Sequence, residues 1–169
     1  MTYPQCAMAA VQATATRTGD YDEMVNSDFD DRVGAGIVNL TRMLNFSELT
    51  IQMVGNSNGV NGTTVFEVTK YLRQDFPLRI SLAWYAYAIA ADYQKTGVTN
   101  GTKYVMNYNV YVYDSAGSLV ASSTATDSST ELIWYTPHRT GNYRIVVKQV
   151  GNRLYSAPIA VAYYYSETI

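Results

Sequence analysis

The chain holds a single cysteine, Cys6, and a single histidine, His138. A nucleophilic thiol needs a base such as imidazole beside it. His138 lies in Pro137-His138-Arg139-Thr140-Gly141, a composition that reads as a turn, and Cys6 lies among alanines, where a free thiol packs as a small apolar residue. The acids gather in one stretch, Asp20, Asp22, Glu23, Asp28, Asp30 and Asp31. A solvated loop and part of a cation site are both open there, and Arg32 directly after the last two acids favours the loop. No spacing selects a carboxylate pair for glycosidic chemistry. The remaining distinctive chemistry is aromatic, because sixteen residues are tyrosine. Tyr85, Tyr87, Tyr111, Tyr113 and Tyr163 to Tyr165 could line one sheet as a stacking strip for sugar or peptide, or pack between layers. The residues thus select no catalytic, cofactor-binding or metal-binding set, and no cofactor is expected.

Composition bounds the partners. With 47% hydrophobic and 15% charged residues in 169, a core of ordinary size can form. A formal charge of −2 gives no electrostatic case for nucleic acid or an anionic membrane. The longest apolar runs, such as Ala86 to Ala91, are too short to span a bilayer. One cysteine excludes an internal disulfide. Met1 is followed by neither a basic stretch nor a hydrophobic run, so no signal peptide is read. The Asn-x-Ser/Thr sequons at Asn39, Asn45, Asn61 and Asn100 are what an Asn- and Thr-rich chain contains by chance.

The elements that would carry these residues change character near Asn45. Pro4 to Thr16 reads as a helix, with Pro in its first turn and alanine through its interior. Gly34-Ala35-Gly36 suits a turn needing positive φ or close approach, and Asn39 can cap a short helix over 40–44. From Ser47 onward, period-two alternation is broken by Gly, Asn and Ser clusters. Strands are expected over 49–54, 63–69, 78–84, 104–114, 119–123, 132–136, 143–148 and 158–164. Asn56 to Gly62 reads as a loop, Asp114-Ser115-Ala116-Gly117 as a type I turn, and 86–103 as irregular. Leu78, Ile80, Leu82 and Trp84 share one face, expected to meet Tyr143, Ile145 and Val147. Arg79 and Arg144 then fall on the opposite side, expected to face solvent unless the N-terminal segment buries that face too. The fold class expected is mainly β, an antiparallel jelly-roll-like sandwich behind a short helical segment.

Two groups of motifs carry a resemblance. The first is Pro4…Ala13-Thr14-Ala15-Thr16, an acidic stretch, then Gly34-Ala35-Gly36-Ile37-Val38-Asn39 and a helix. The second is Pro77-Leu78-Arg79-Ile80-Ser81-Leu82-Ala83-Trp84, then Asn107 to Gly117, Glu131 and Gly141-Asn142-Tyr143-Arg144-Ile145-Val146-Val147. In this order they resemble the end of the catalytic domain of subtilisin-like serine proteases and the β-sandwich appended behind it.

The resemblance implies that residues 1–46 finish an α/β catalytic domain and that 47–169 form the accessory sandwich. It implies a secreted or surface-associated serine endopeptidase of the Ser-His-Asp type. The family's Gly-Thr-Ser nucleophile turn is absent, so this chain by itself is expected to be non-catalytic. Its partners would be the rest of the catalytic domain and that enzyme's peptide or protein substrate. Apolar faces left bare by the missing part would favour self-association. Acids that serve calcium in some members correspond here to Ala86, Asn107 and Asn109, so little calcium dependence is expected. The alternative function is a stand-alone jelly-roll module binding carbohydrate or peptide through its tyrosines.

Overall fold

The computed structural model describes residues 4–16, 35–54, 61–85, 107–126, 128–150 and 158–167. In chain order these form α1 (Pro4–Thr14), α2 (Leu40–Met43), β1 (Leu49–Val54), β2 (Thr64–Leu72), β3 (Leu78–Trp84) and β4 (Asn107–Tyr113). They continue with β5 (Leu119–Ser123), β6 (Thr130–Tyr135), β7 (Gly141–Val150) and β8 (Ile159–Tyr165). Gly34, the acid-rich stretch, the 56–59 part of the expected loop, Ala86, Tyr87, Asn100 and the 86–103 interruption lie outside the described residues.

Two antiparallel four-stranded sheets face each other, ordered β1-β8-β3-β6 and β2-β7-β4-β5. Within them β1 pairs with β8, β2 with β7, β3 with β6 and β4 with β5. That nesting is a long antiparallel ribbon rolled on itself, the jelly-roll arrangement. The alternation in the sequence translates directly into the core. Leu78, Ile80, Leu82 and Trp84 of β3 join Tyr108, Val110 and Val112 of β4 and Tyr143, Ile145 and Val147 of β7 in one buried cluster. Trp84 meets Tyr108 edge to face, with ring centroids 5.3 Å apart.

Two local devices set the turns. Between β4 and β5, Asp114 Oδ1 accepts from the amides of Ala116 and Ser118 at 2.9 and 2.8 Å. Gly117, at φ 81°, closes the turn by donating to Asp114 O at 3.0 Å. Between β6 and β7, Tyr143 Oη donates back to Arg139 O at 2.7 Å and pins the start of β7.

The outer face of the first sheet is also buried where α1 lies across it. All seven residues of β3 are inaccessible. α1 carries no charged residue over its eleven positions and lies on this face, packing Ala9, Ala10 and Ala13 against Ala83, Ala160, Ala162 and Tyr164. Small residues on both sides let helix and sheet approach closely, and Ser81 Oγ donates to Gln12 Oε1 at 2.7 Å across the seam. The expectation that Arg79 faces solvent is therefore corrected: it is 1% exposed, with its guanidinium carbon 4.9 Å from the Trp134 ring and 5.8 Å from that of Tyr164. Arg144 does face solvent, beside Glu67 at 3.5 Å.

Candidate functional site

The two halves of the N-terminal motif meet in space. Thr16 and Ile37 form an antiparallel bridge, with Thr16 N donating to Ile37 O at 2.9 Å and Ile37 N to Thr16 O at 2.8 Å. Gly36, at φ 110°, makes the turn into this bridge. Asn39 caps α2 by accepting from Arg42 N at 3.0 Å, and its Nδ2 donates to Thr16 Oγ1 at 2.8 Å. Arg42 Nη1 reaches the same hydroxyl at 3.2 Å, and its guanidinium lies over the Tyr164 ring at 5.6 Å. Tyr164 Oη donates in turn to Glu48 Oε2 at 2.6 Å. This small polar knot ties the end of α1, the Gly36 turn and the start of the sandwich together. Around it Ile37, Val38, Leu40, Leu44 and Phe46 are 54–74% exposed. Five apolar side chains in ten residues thus find little cover among the described residues.

The residues with potential chemistry are scattered. Cys6 is half-buried on α1 against the helix–sheet seam, and burial pushes its thiol up. His138 is exposed in the β6–β7 turn. Among the described residues no group of three His, Cys, Asp or Glu side chains is placed to hold a metal ion. Asn107 and Asn109 are both buried at the start of β4, and among the described residues neither Oδ1 accepts a hydrogen bond. Asn109 Nδ2 donates to Tyr111 Oη at 3.0 Å. Lys148 stands directly across from Asn109 on β7.

The tyrosines do not share one surface. Tyr111 and Tyr113 lie half-buried on the outer face of the second sheet, ring centroids 6.4 Å apart. Arg144 sits over Tyr113 at 5.1 Å and Lys148 over Tyr111 at 5.9 Å. Tyr163 belongs to the inner core and Tyr165 packs against it. Tyr164 faces α1, and Tyr85 is exposed beyond the end of β3. Strand alternation sends neighbours Tyr163 to Tyr165 to opposite faces, so among the described residues only Tyr111 and Tyr113 form a pair open to solvent.

No protein-family profile matches the chain, and no curated protein matches it. Solved structures align with it at low similarity. A protein of Sulfurospirillum deleyianum aligns over 70% of this chain and 98% of its own, at 8% identity and a TM-score of 0.38. The tripod from the baseplate of bacteriophage Tuc2009 aligns over 90% and 78%, at 12% identity and a TM-score of 0.30. Neither likeness bears on function.

One polar pair lies inside the sandwich, and the sequence reading assigns it no contact. Glu131 is 1% exposed on the inner face of β6, and its Oε2 accepts from Ser123 Oγ. The signal was there, since Glu131 alternates in phase with Ile133 and Tyr135, both of the core. Ser123 likewise stands opposite Val110.

Proposed function

We propose that this chain is the non-catalytic C-terminal portion of a secreted subtilisin-like serine endopeptidase, with a sandwich that braces the catalytic body or bounds its cleft. The observation that carries the reading is the bare apolar surface at Ile37, Val38, Leu40, Leu44 and Phe46, on the segment that bears the resemblance. A segment that normally covers the sheet of a larger domain has this character when that sheet is missing. The bridge between Thr16 and Ile37 supports the same reading, because it makes the two motifs one unit rather than a chance pair of strings. A free-standing binding module has no use for such a unit.

The test extends the coding sequence upstream of Met1 and probes both lengths with a fluorophosphonate. The expected result is an in-frame Gly-Thr-Ser turn upstream, stoichiometric labelling of that serine in the longer chain, and none in residues 1–169. Labelling of a serine within 1–169, or an upstream sequence without such a turn, would overturn the reading.

A further inference from the structure

The four sheet edges are not equally protected. β2 carries Glu67 and Lys70 and a register break between Thr64 and Phe66. β5 is only five residues long and meets a register break opposite Val112 and Tyr113. β6 is buried along its whole length. These are the devices that keep edges from pairing with other chains. β1, Leu49-Thr50-Ile51-Gln52-Met53-Val54, has none of them. It carries no charge and no proline, runs in unbroken register along β8, and leaves Ile51 38% exposed.

Its free backbone can be located. Tyr165 N donates to Glu48 O at 3.1 Å, which marks Glu48 and Tyr165 as a hydrogen-bonded pair. In an antiparallel ladder such pairs alternate, so Thr50, Gln52 and Val54 bond to β8 while Leu49, Ile51 and Met53 direct N–H and C=O outward. The Leu49 amide is already satisfied by Asn45 O at 3.0 Å. Among the described residues nothing bonds the amides of Ile51 and Met53.

We infer that β1 pairs antiparallel with β1 of a second copy of this chain, joining two sheets of four strands into one continuous sheet. A two-fold axis normal to the sheet keeps each face on its own side, so it must pair residues of like parity. An axis at Gln52 sets Ile51 opposite Met53 of the second copy, and Met53 opposite its Ile51. Each of these pairs exchanges both of its bonds, which uses the two open amides and leaves Leu49 with Asn45. The same register brings Ile51 and Met53 of both copies together on the outer face, beside the α1 seam where Met53 already packs. No like charges meet, because residues 49–54 carry none. This inference does not depend on the protease reading.

Amide exchange on the unmodified chain tests it together with sedimentation. Association should appear as concentration rises, with the Ile51 and Met53 amides slowing at least about ten-fold between micromolar and millimolar chain. Thr50 and Gln52 should stay slow throughout. Ile51→Lys, which puts a charge on the edge, should leave the thermal melt unchanged and keep the chain monomeric. A wild-type monomer at millimolar concentration would overturn the inference. So would an oligomer in which the Ile51 and Met53 amides still exchange fast, or one that survives Ile51→Lys.

Discussion

Arg79 and Arg144 occupy equivalent phases of their strands and differ only in what lies over them. Arg79 is held between Trp134 and Tyr164 beneath α1, where a desolvated cation–π contact contributes about 2 kcal/mol or more. Arg144 sits in solvent beside Glu67, where an exposed pair contributes about 0–1 kcal/mol. Trp84→Ala should cost about 3–5 kcal/mol through lost contacts and a cavity against Tyr108. Denaturant melts are expected to rank Trp84→Ala and Arg79→Ala as damaging, with Arg144→Ala under about 1 kcal/mol. Titration follows from burial too. Burial first, then the neighbouring Tyr143 hydroxyl, holds Tyr135 above the usual tyrosine value. Burial and then Glu48 raise Tyr164, and burial raises Tyr165. These groups contribute stability that is intact below pH about 10, where folded and unfolded chains both keep the proton. It is lost as pH climbs past that value toward the raised folded ones. Stability should therefore fall above pH ~10, and Tyr135→Phe should flatten that fall; an unchanged slope would exclude Tyr135 as a contributor. At Asn107 and Asn109 the side chains are neutral and Lys148 stands opposite, so millimolar calcium against chelator should not shift the melt.

α1 is the element whose sequence most needs its neighbour. With no charge on any side, it cannot rely on ion pairs or its dipole and gains its stability from packing. Ala9, Ala10 and Ala13 share one buried cluster with Ala83, Ala160 and Ala162, so Ala162→Leu should overpack the seam and cost about 1–3 kcal/mol. Ala7, on the exposed side of the same helix, should accept Leu within about 0.5 kcal/mol. Denaturant midpoints at constant slope distinguish the two. At the β6–β7 connection, Tyr143→Phe removes the bond to Arg139 O and should cost about 1 kcal/mol.

At the scale of the molecule, the first and last strands close the fold. Leu49 pairs with Tyr164 and Thr50 with Tyr163, so placing β1 closes a loop that spans most of the chain. Such distant pairing implies folding in milliseconds to seconds rather than microseconds. α1 then covers strands from both ends of the sequence, with contacts to β1, β3 and β8. Removing residues 1–46 should bare Ala83, Ala160, Ala162 and Tyr164 on the outer face. The truncated chain should melt lower and aggregate, as scattering during a thermal ramp would show. A fragment 47–169 as stable and soluble as the full chain would mean that α1 rests on the sheet without stabilising it.

The antiparallel sandwich was legible in the residues because strand alternation is a local property. Leu78, Ile80, Leu82 and Trp84 announce one buried face whatever they pack against, and Asp114 with Gly117 announces a turn. Asn39 announces a cap for the same reason. What local pattern could not state is which second faces are covered. Arg79 reads as a solvent-facing charge and is buried only because α1, more than sixty positions earlier, lies across β3. Tyr163 to Tyr165 look like one aromatic cluster in the chain and are divided between two faces once β8 is flanked by β1 and β3 and capped by α1, Tyr163 and Tyr165 at the inner core and Tyr164 under the helix. The bare edge of β1 is likewise decided by sheet order. An unpaired amide is a statement about neighbours in space, and the long-range pairing that sets those neighbours is not written in any local stretch of sequence.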